Sequence, residues 1–96
     1  MLDGVDPDLV DQIKKEASSV NGIEDVNEVR VRWLGHRLHA ELNITVDKHL
    51  SVEEGHRIAN QVRHELLHYF QFLSYAIIQV HPTNALDEKI HDHPER

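Results

Sequence analysis

A regular alternation of apolar and polar side chains between Leu38 and Val46 limits the folds open to this chain more than any other feature. The apolar set is Leu38, Ala40, Leu42, Ile44 and Val46, and the polar set is His39, Glu41, Asn43 and Thr45. Successive side chains of a β-strand point to opposite faces of the sheet. A period of two over this segment therefore predicts a strand with one buried face and one polar face.

Two other segments carry the signals of amphipathic helices. Asp6-Pro7 combines an N-cap side chain with proline at the first helical position, and Asn21-Gly22 supplies a C-cap. Ser51 and Glu54 form a capping box, which predicts that a second helix begins at about Val52. The apolar stripe of this second helix consists of Gly55, Ile58, Ala59, Val62, Leu66 and Tyr69. We expect both helices to dock on a sheet.

Two more strands complete the predicted sheet. Val26 to Leu34 alternates like the 38–46 strand and is joined to it across Gly35, which predicts a hairpin. Ser74 to His81 predicts a third strand, apolar enough on both sides to be central or to carry a partner, and Pro82 ends it. The order α-β-β-α-β predicts an α+β, ferredoxin-like sandwich. Two helices should cover one face of a three-stranded sheet, the second as a right-handed crossover.

The composition restricts the classes of function. The chain of 96 residues makes one small domain, placed at 6–82, with 83–96 as a flexible charged tail. Its formal net charge of −7 argues against nucleic-acid partners. No run approaches the roughly 20 apolar residues that span a bilayer, so we do not expect the chain as given to insert in a membrane. With nine histidines and no cysteine, a metal site must use imidazole and oxygen.

Candidate metal ligands collect on the polar face of the predicted sheet. His39, Glu41 and Asn43 lie on the second strand, and Gln79 and His81 lie on the third. Alternate residues on one strand face are about 6.5 to 7 Å apart, close enough for two side chains to bind one ion. Imidazole with carboxylate suits zinc and similar divalent ions. The competing interpretation is an ordinary solvent face of a hairpin, which these residues taken alone favour.

Three histidines of the second helix add further candidates. His56 lies on a flank of the apolar stripe, where its side chain can reach a neighbouring surface. His64 and His68 share a helix face at i, i+4, a spacing able to hold a metal, and are predicted to belong to a solvated face. The chain has no Gly-rich phosphate loop and no nucleophile elbow. We therefore do not expect an enzyme.

Five short segments carry a family resemblance. They are Val26-Asn-Glu-Val-Arg-Val-Arg, Gly35, Ile44-Thr-Val-Asp47, Leu50-Ser-Val-Glu-Glu-Gly-His56-Arg-Ile-Ala and Ile77-Ile-Gln-Val-His-Pro82. Together, from Val5 to about Pro82, they resemble the cytoplasmic C-terminal domain of cation diffusion facilitator transporters, proton-coupled exporters of zinc and related divalent metals. The resemblance implies a metallochaperone-like fold that dimerises. It also implies membrane helices before Met1, with 1–5 as the linker from them.

The resemblance further implies a set of metal ligands. The helix histidine of the family matches His56, and an aspartate position before the final proline matches His81. Some relatives use residues of the second strand that match His39 and Glu41. The implied site therefore combines His56 and His81 with His39 or Glu41. Positions that often hold histidine in the family carry amides here and are expected to be weaker ligands or supporting groups: Asn27, Asn43 and Gln79.

Three functional hypotheses follow. The first is a regulatory cytoplasmic domain of an integral membrane transporter, which forms a homodimer, contacts the membrane domain and binds metal to favour a closed dimer. The expected metal is zinc, with iron, manganese, nickel and copper as alternatives. The second is a metal-independent dimerisation or protein-docking domain of the same kind of transporter. The third is a stand-alone ferredoxin-like ligand-binding protein.

Overall fold

The computed structural model describes residues 5–83, which form two helices and three strands. The helices are Pro7–Ser18 (α1) and Val52–Tyr69 (α2), and the strands are Asp25–Leu34 (β1), Arg37–Val46 (β2) and Leu73–Pro82 (β3). The predicted α-β-β-α-β order and α+β class are confirmed. Most of the predicted linker and nearly all of the predicted tail lie outside the described residues.

The sheet has the order β1-β2-β3, so β2 is the central strand. β1 pairs with β2 antiparallel through the hairpin at Gly35, and β3 pairs with β2 in parallel. The alternative that β3 is central is therefore wrong. The hairpin places β1 on one side of β2, and the crossover through α2 returns β3 to the other side, where it forms an edge.

The hydrophobic core lies between β2 and the helices. All five apolar residues of the β2 alternation are buried, whereas the polar residues His39 to Thr45 between them are half-buried. Burial of one such aliphatic side chain stabilises the fold by about 1.5–3 kcal/mol. The helices cover them with Ile13, Ala17, Ala59, Val62 and Leu66. Tyr69 departs from its predicted place in the stripe: it is 61% exposed, because the helix ends there and its ring packs edge-on against Phe70.

Both helices begin at the predicted caps. The Asp6 carboxylate accepts a hydrogen bond of 3.0 Å from the backbone N–H of Asp8. The Ser51 hydroxyl accepts one from the Glu54 N–H at 3.0 Å, and the Glu54 carboxylate accepts one from the Ser51 N–H at 3.1 Å. These bonds satisfy donors that a helix start leaves unpaired. In the part of the chain that the structure describes, neither helix is long and apolar enough to span a bilayer.

Among residues 5–83, Gly22 and Gly35 have a positive φ, and Gly22 is expected to be the less replaceable of the two. Its φ is +99°, and a Cβ there would lie 2.7 Å from Ile58 Cδ1 on α2. We expect Gly22→Ala to lower the free energy of unfolding by about 2–3 kcal/mol, since Ile58 must move and the backbone is strained. Urea denaturation measures this loss.

Gly35→Ala is the matched control for that prediction. Gly35 has φ +66°, and a Cβ added there would have no heavy atom within 4 Å other than those of its own chain neighbours. Only the left-handed backbone penalty applies there, about 1–2 kcal/mol. Equal losses for the two variants would show that neither the larger φ of Gly22 nor its contact with Ile58 adds to the cost of a side chain there.

Candidate metal centre

The sheet face turned away from the helices, the open face, carries most of the predicted ligands. Cross-strand partners share a face, so the register of the three strands fixes its members. β2 contributes His39, Glu41, Asn43 and Thr45, flanked by Arg32, Arg30 and Glu28 on β1 and by Tyr75, Ile77, Gln79 and His81 on β3. The register therefore places five of the seven predicted ligands on one surface: His39, Glu41, Asn43, Gln79 and His81. Asn27 is the sixth, because its side chain bonds to Thr45 on the same face.

His39 and Glu41, the two stronger candidates on β2, already have neighbours on this surface. The His39 ring lies against the Tyr75 ring, with centroids 5.1 Å apart and a tilt of 43°. Glu41 Oε1 is 3.1 Å from Arg30 Nη2. The side chains of that ion pair are 42% and 64% exposed, so the pair adds about 0–1 kcal/mol at most. His39 and Glu41 can therefore each give up these contacts for a metal ion at a small cost in free energy.

The amide residues form cross-strand hydrogen bonds. Asn43 Nδ2 donates to Glu28 Oε1 at 3.1 Å. Asn27 sits where the β1–β2 register shifts between Val26 and Glu28, and its Nδ2 donates to Thr45 Oγ1 at 2.8 Å. The extra residue at this β-bulge lets Asn27 and Glu28 both reach the open face.

His81 and Gln79 continue the same surface onto the edge strand. In the register, His81 pairs with Thr45 and Gln79 pairs with Asn43. Both side chains are exposed. Beyond them, the Thr83 hydroxyl donates to the Val46 carbonyl at 2.7 Å and ties the end of β3 to the end of β2.

His56 lies in the helix layer, not on the open face. It is exposed on the second turn of α2 and follows Gly55, whose Cβ position is 3.6 Å from Val80 Cγ1. Val80 is the helix-facing neighbour of His81, so β3 separates the two predicted histidines. Within residues 5–83 no three His, Cys, Asp or Glu side chains form a group able to hold a metal ion. One copy thus presents its donors on two surfaces.

The loop that leads into α2 contains a contact between Asp47 and His49. The pKa of the Asp47 carboxyl is held below its usual range, first because it accepts a hydrogen bond from the His49 backbone N–H and then because of its contact with the His49 ring. The ring contact is 3.1 Å, between Asp47 Oδ1 and His49 Nδ1. The hydrogen bond from the His49 backbone N–H to Asp47 closes the loop just before the Ser51 cap and does not require the His49 ring.

Glu28 and Glu65 lie beside candidate amide or histidine side chains but are not among the predicted ligands. Glu28 meets Asn43 because the bulge at Asn27 brings it there, and the sequence carries no signal for that bulge. Glu65 lies between His64 and His68, so residues 64–68 have the pattern H-E-x-x-H. That pattern is visible in the sequence, and the prediction of a plain solvated face overlooked it.

A profile of the family described as "Cation efflux protein, cytoplasmic domain" matches residues 5–83. A probable cation efflux system protein of Mycobacterium tuberculosis is 43% identical over 83 residues. That match covers 86% of this chain and 25% of the relative. The manganese efflux system protein MneP of Bacillus subtilis is 27% identical over 82 residues, or 85% of this chain and 28% of that protein. The chain thus spans about a quarter of the length of these relatives.

Solved structures of MamM CTD variants share the fold. A cadmium form has a TM-score of 0.77 at 24% identity, covering 79% of this chain and 95% of that one. A nickel form has a TM-score of 0.74 at 25% identity, covering 78% and 96%. The profile match covers every residue that the structure describes. The chain therefore belongs to the cation diffusion facilitator family of cation efflux proteins, and residues 5–83 are its cytoplasmic domain.

Proposed function

We propose that this domain is the regulatory, dimerising part of a proton-coupled exporter of divalent metal cations, in which metal binding favours a closed dimer. Its partners are a second copy of the chain and the membrane domain of the transporter. The observation that carries the proposal is the division of donors: His39, Glu41 and His81 lie on the open face and His56 lies in the helix layer. No three-donor group forms within residues 5–83 of one copy.

Because the donors lie on two surfaces of one copy, metal binding should depend on how two copies are arranged in the dimer. A closed zinc site has about four ligands. The donor chemistry fits such an ion, but residues 5–83 of one copy do not gather three donors at one point. We propose that a second copy or water completes the set. A metal that binds more tightly to the closed dimer shifts the population toward that form.

Zinc is the ion we propose first, with iron, manganese, nickel and copper as alternatives. Imidazole with carboxylate accepts all of these ions, and geometry sets the selectivity among them. Manganese has support from the Bacillus subtilis relative, which is named a manganese efflux protein. Nickel has support from the nickel form of the MamM CTD.

A metal titration followed by scattering and melting tests this function. We expect saturating zinc to reduce the radius of gyration of the dimer and to raise its melting temperature, because a ligand bound to the folded state adds stability. Excess chelator should reverse both changes, and magnesium should cause neither. A dimer whose radius and melting temperature stay constant through the zinc titration would refute metal-driven closure.

A metal-independent dimerisation or docking domain is the second candidate. The observation that favours it is the set of cross-strand pairs on the open face: Arg30 with Glu41, Glu28 with Asn43 and Asn27 with Thr45. These pairs already satisfy groups that would otherwise bind an ion. This candidate predicts a dimer that is present in chelator and unchanged by metal.

A further inference from the structure

The outer side of α2 carries a pair of histidines that the proposed function does not use. His64 and His68 are both exposed and lie one helical turn apart. Their rings are 8° from parallel, with centroids 6.3 Å apart. We propose that His64 and His68 form a two-imidazole binding site for a late first-row transition metal ion, separate from the open face of the sheet.

The geometry of the pair suits chelation by a single copy. Metal–nitrogen bonds of about 2.0–2.1 Å require two adjacent ligand atoms to approach to roughly 3.3 Å in a tetrahedral site. Residues four apart on a helix are neighbours on its surface, so both rings can reach one ion. Exposed side chains change rotamer within nanoseconds, and a small tilt of each ring closes the gap.

Both imidazoles are available for a metal. In the part of the chain that the structure describes, neither ring takes part in a hydrogen bond or an ion pair. By contrast, the His49 ring contacts Asp47 and the His39 ring packs on Tyr75. Binding at the helix pair therefore breaks no side-chain hydrogen bond or ion pair within residues 5–83.

The intervening Glu65 does not turn this site into a hydrolase. In H-E-x-x-H enzymes the two histidines bind zinc and the glutamate acts as general base, with a further protein ligand completing the site. Here no third His, Cys, Asp or Glu among residues 5–83 joins the pair. Glu65 is half-buried, and Leu66 beside it is fully buried in the core. The arrangement supports metal binding at the surface of the helix.

The ligand chemistry selects a class of ion. Two imidazoles with water in the other positions suit copper, nickel and zinc, and affinities should follow the order Mn²⁺ < Ni²⁺ < Cu²⁺. An ion held there links two successive turns in the C-terminal half of α2. Since this site uses residues of one copy only, metal binding to it should not depend on dimer closure. The site can therefore exist whether or not metal closes the dimer as proposed above.

Nickel titration of the full chain, followed by NMR, tests this site. The tag-free chain carries His91→Ala and His93→Ala, which removes the tail histidines from competition. We expect paramagnetic Ni²⁺ to broaden the amide signals of residues 60–72 at the lowest concentrations that affect them. His64→Ala should weaken this local binding by about 10- to 100-fold, because the second imidazole then no longer binds intramolecularly.

A residue swap provides the matched control. Gln61→His combined with His64→Gln keeps the number of histidines but places the pair seven residues apart, about 10.5 Å along the helix. Gln61 and His64 are both exposed, and circular dichroism verifies that the helix is intact. We expect the swap to lose the local broadening to the same extent as His64→Ala. Equal broadening in parent and swap, or broadening elsewhere alone, would overturn the site.

Discussion

Replacement of Leu66 by alanine is expected to lower the free energy of unfolding by about 2–5 kcal/mol. Leu66 is 0% exposed and belongs to the core between α2 and the sheet. Truncation removes its apolar contacts and leaves a cavity that the packed sheet cannot fill. A small domain has about 5–15 kcal/mol of stability in all, so this single change removes a large share. Urea denaturation at fixed protein concentration measures the loss.

Leu67→Ala is the matched control, since it makes the same chemical change at the next position of α2. Leu67 is half-buried and packs against the margin of the core. Its truncation creates little enclosed space, and we expect a loss of about 1 kcal/mol. If the two variants lost equal stability, α2 would not bury its Leu66 side against the sheet.

Local signals in the sequence predicted the fold because each one has a single structural outcome. The period of two from Leu38 to Val46 allowed only one buried face, and the five apolar residues are indeed buried. Ser51 and Glu54 fixed the start of α2 to the residue. The position of β3 was not determined in this way, because its two sides are similarly apolar and strand order depends on pairing between distant segments.

The site was less predictable, for a physical reason. The alternation of β2 shows which side chains leave the core, but a solvated face and a ligand face have the same pattern. The bulge at Asn27 adds one residue without any residue type that announces it, and so the contact of Glu28 with Asn43 could not be anticipated. His56 and His81 are far apart in sequence, and β3 lies between them in the fold. Their roles as ligands stay predictions.

The double replacement His56→Ala with His81→Ala is expected to remove most of the metal response. At a free zinc concentration 100 times the dissociation constant, binding adds about 2.7 kcal/mol of stability. Loss of two imidazole ligands should raise the dissociation constant by at least about 100-fold, which leaves about 0.4 kcal/mol at the same zinc concentration. For a domain of this size, the gain in melting temperature should fall from about 10–20 °C to about 2–3 °C.

This experiment needs a background that carries His64→Ala and His68→Ala, so that the outer helix pair contributes nothing to the response. His36→Ala with His49→Ala serves as the control. It removes the same number of histidines, but neither His36 nor His49 is a predicted ligand. Both double variants should remain folded without metal, since the four side chains are exposed. The control should keep the full gain and the compaction of the dimer. If the His56 and His81 variant responded to zinc as strongly as the control, the ligands would have to be sought among His39, Glu41 and the amides of the open face.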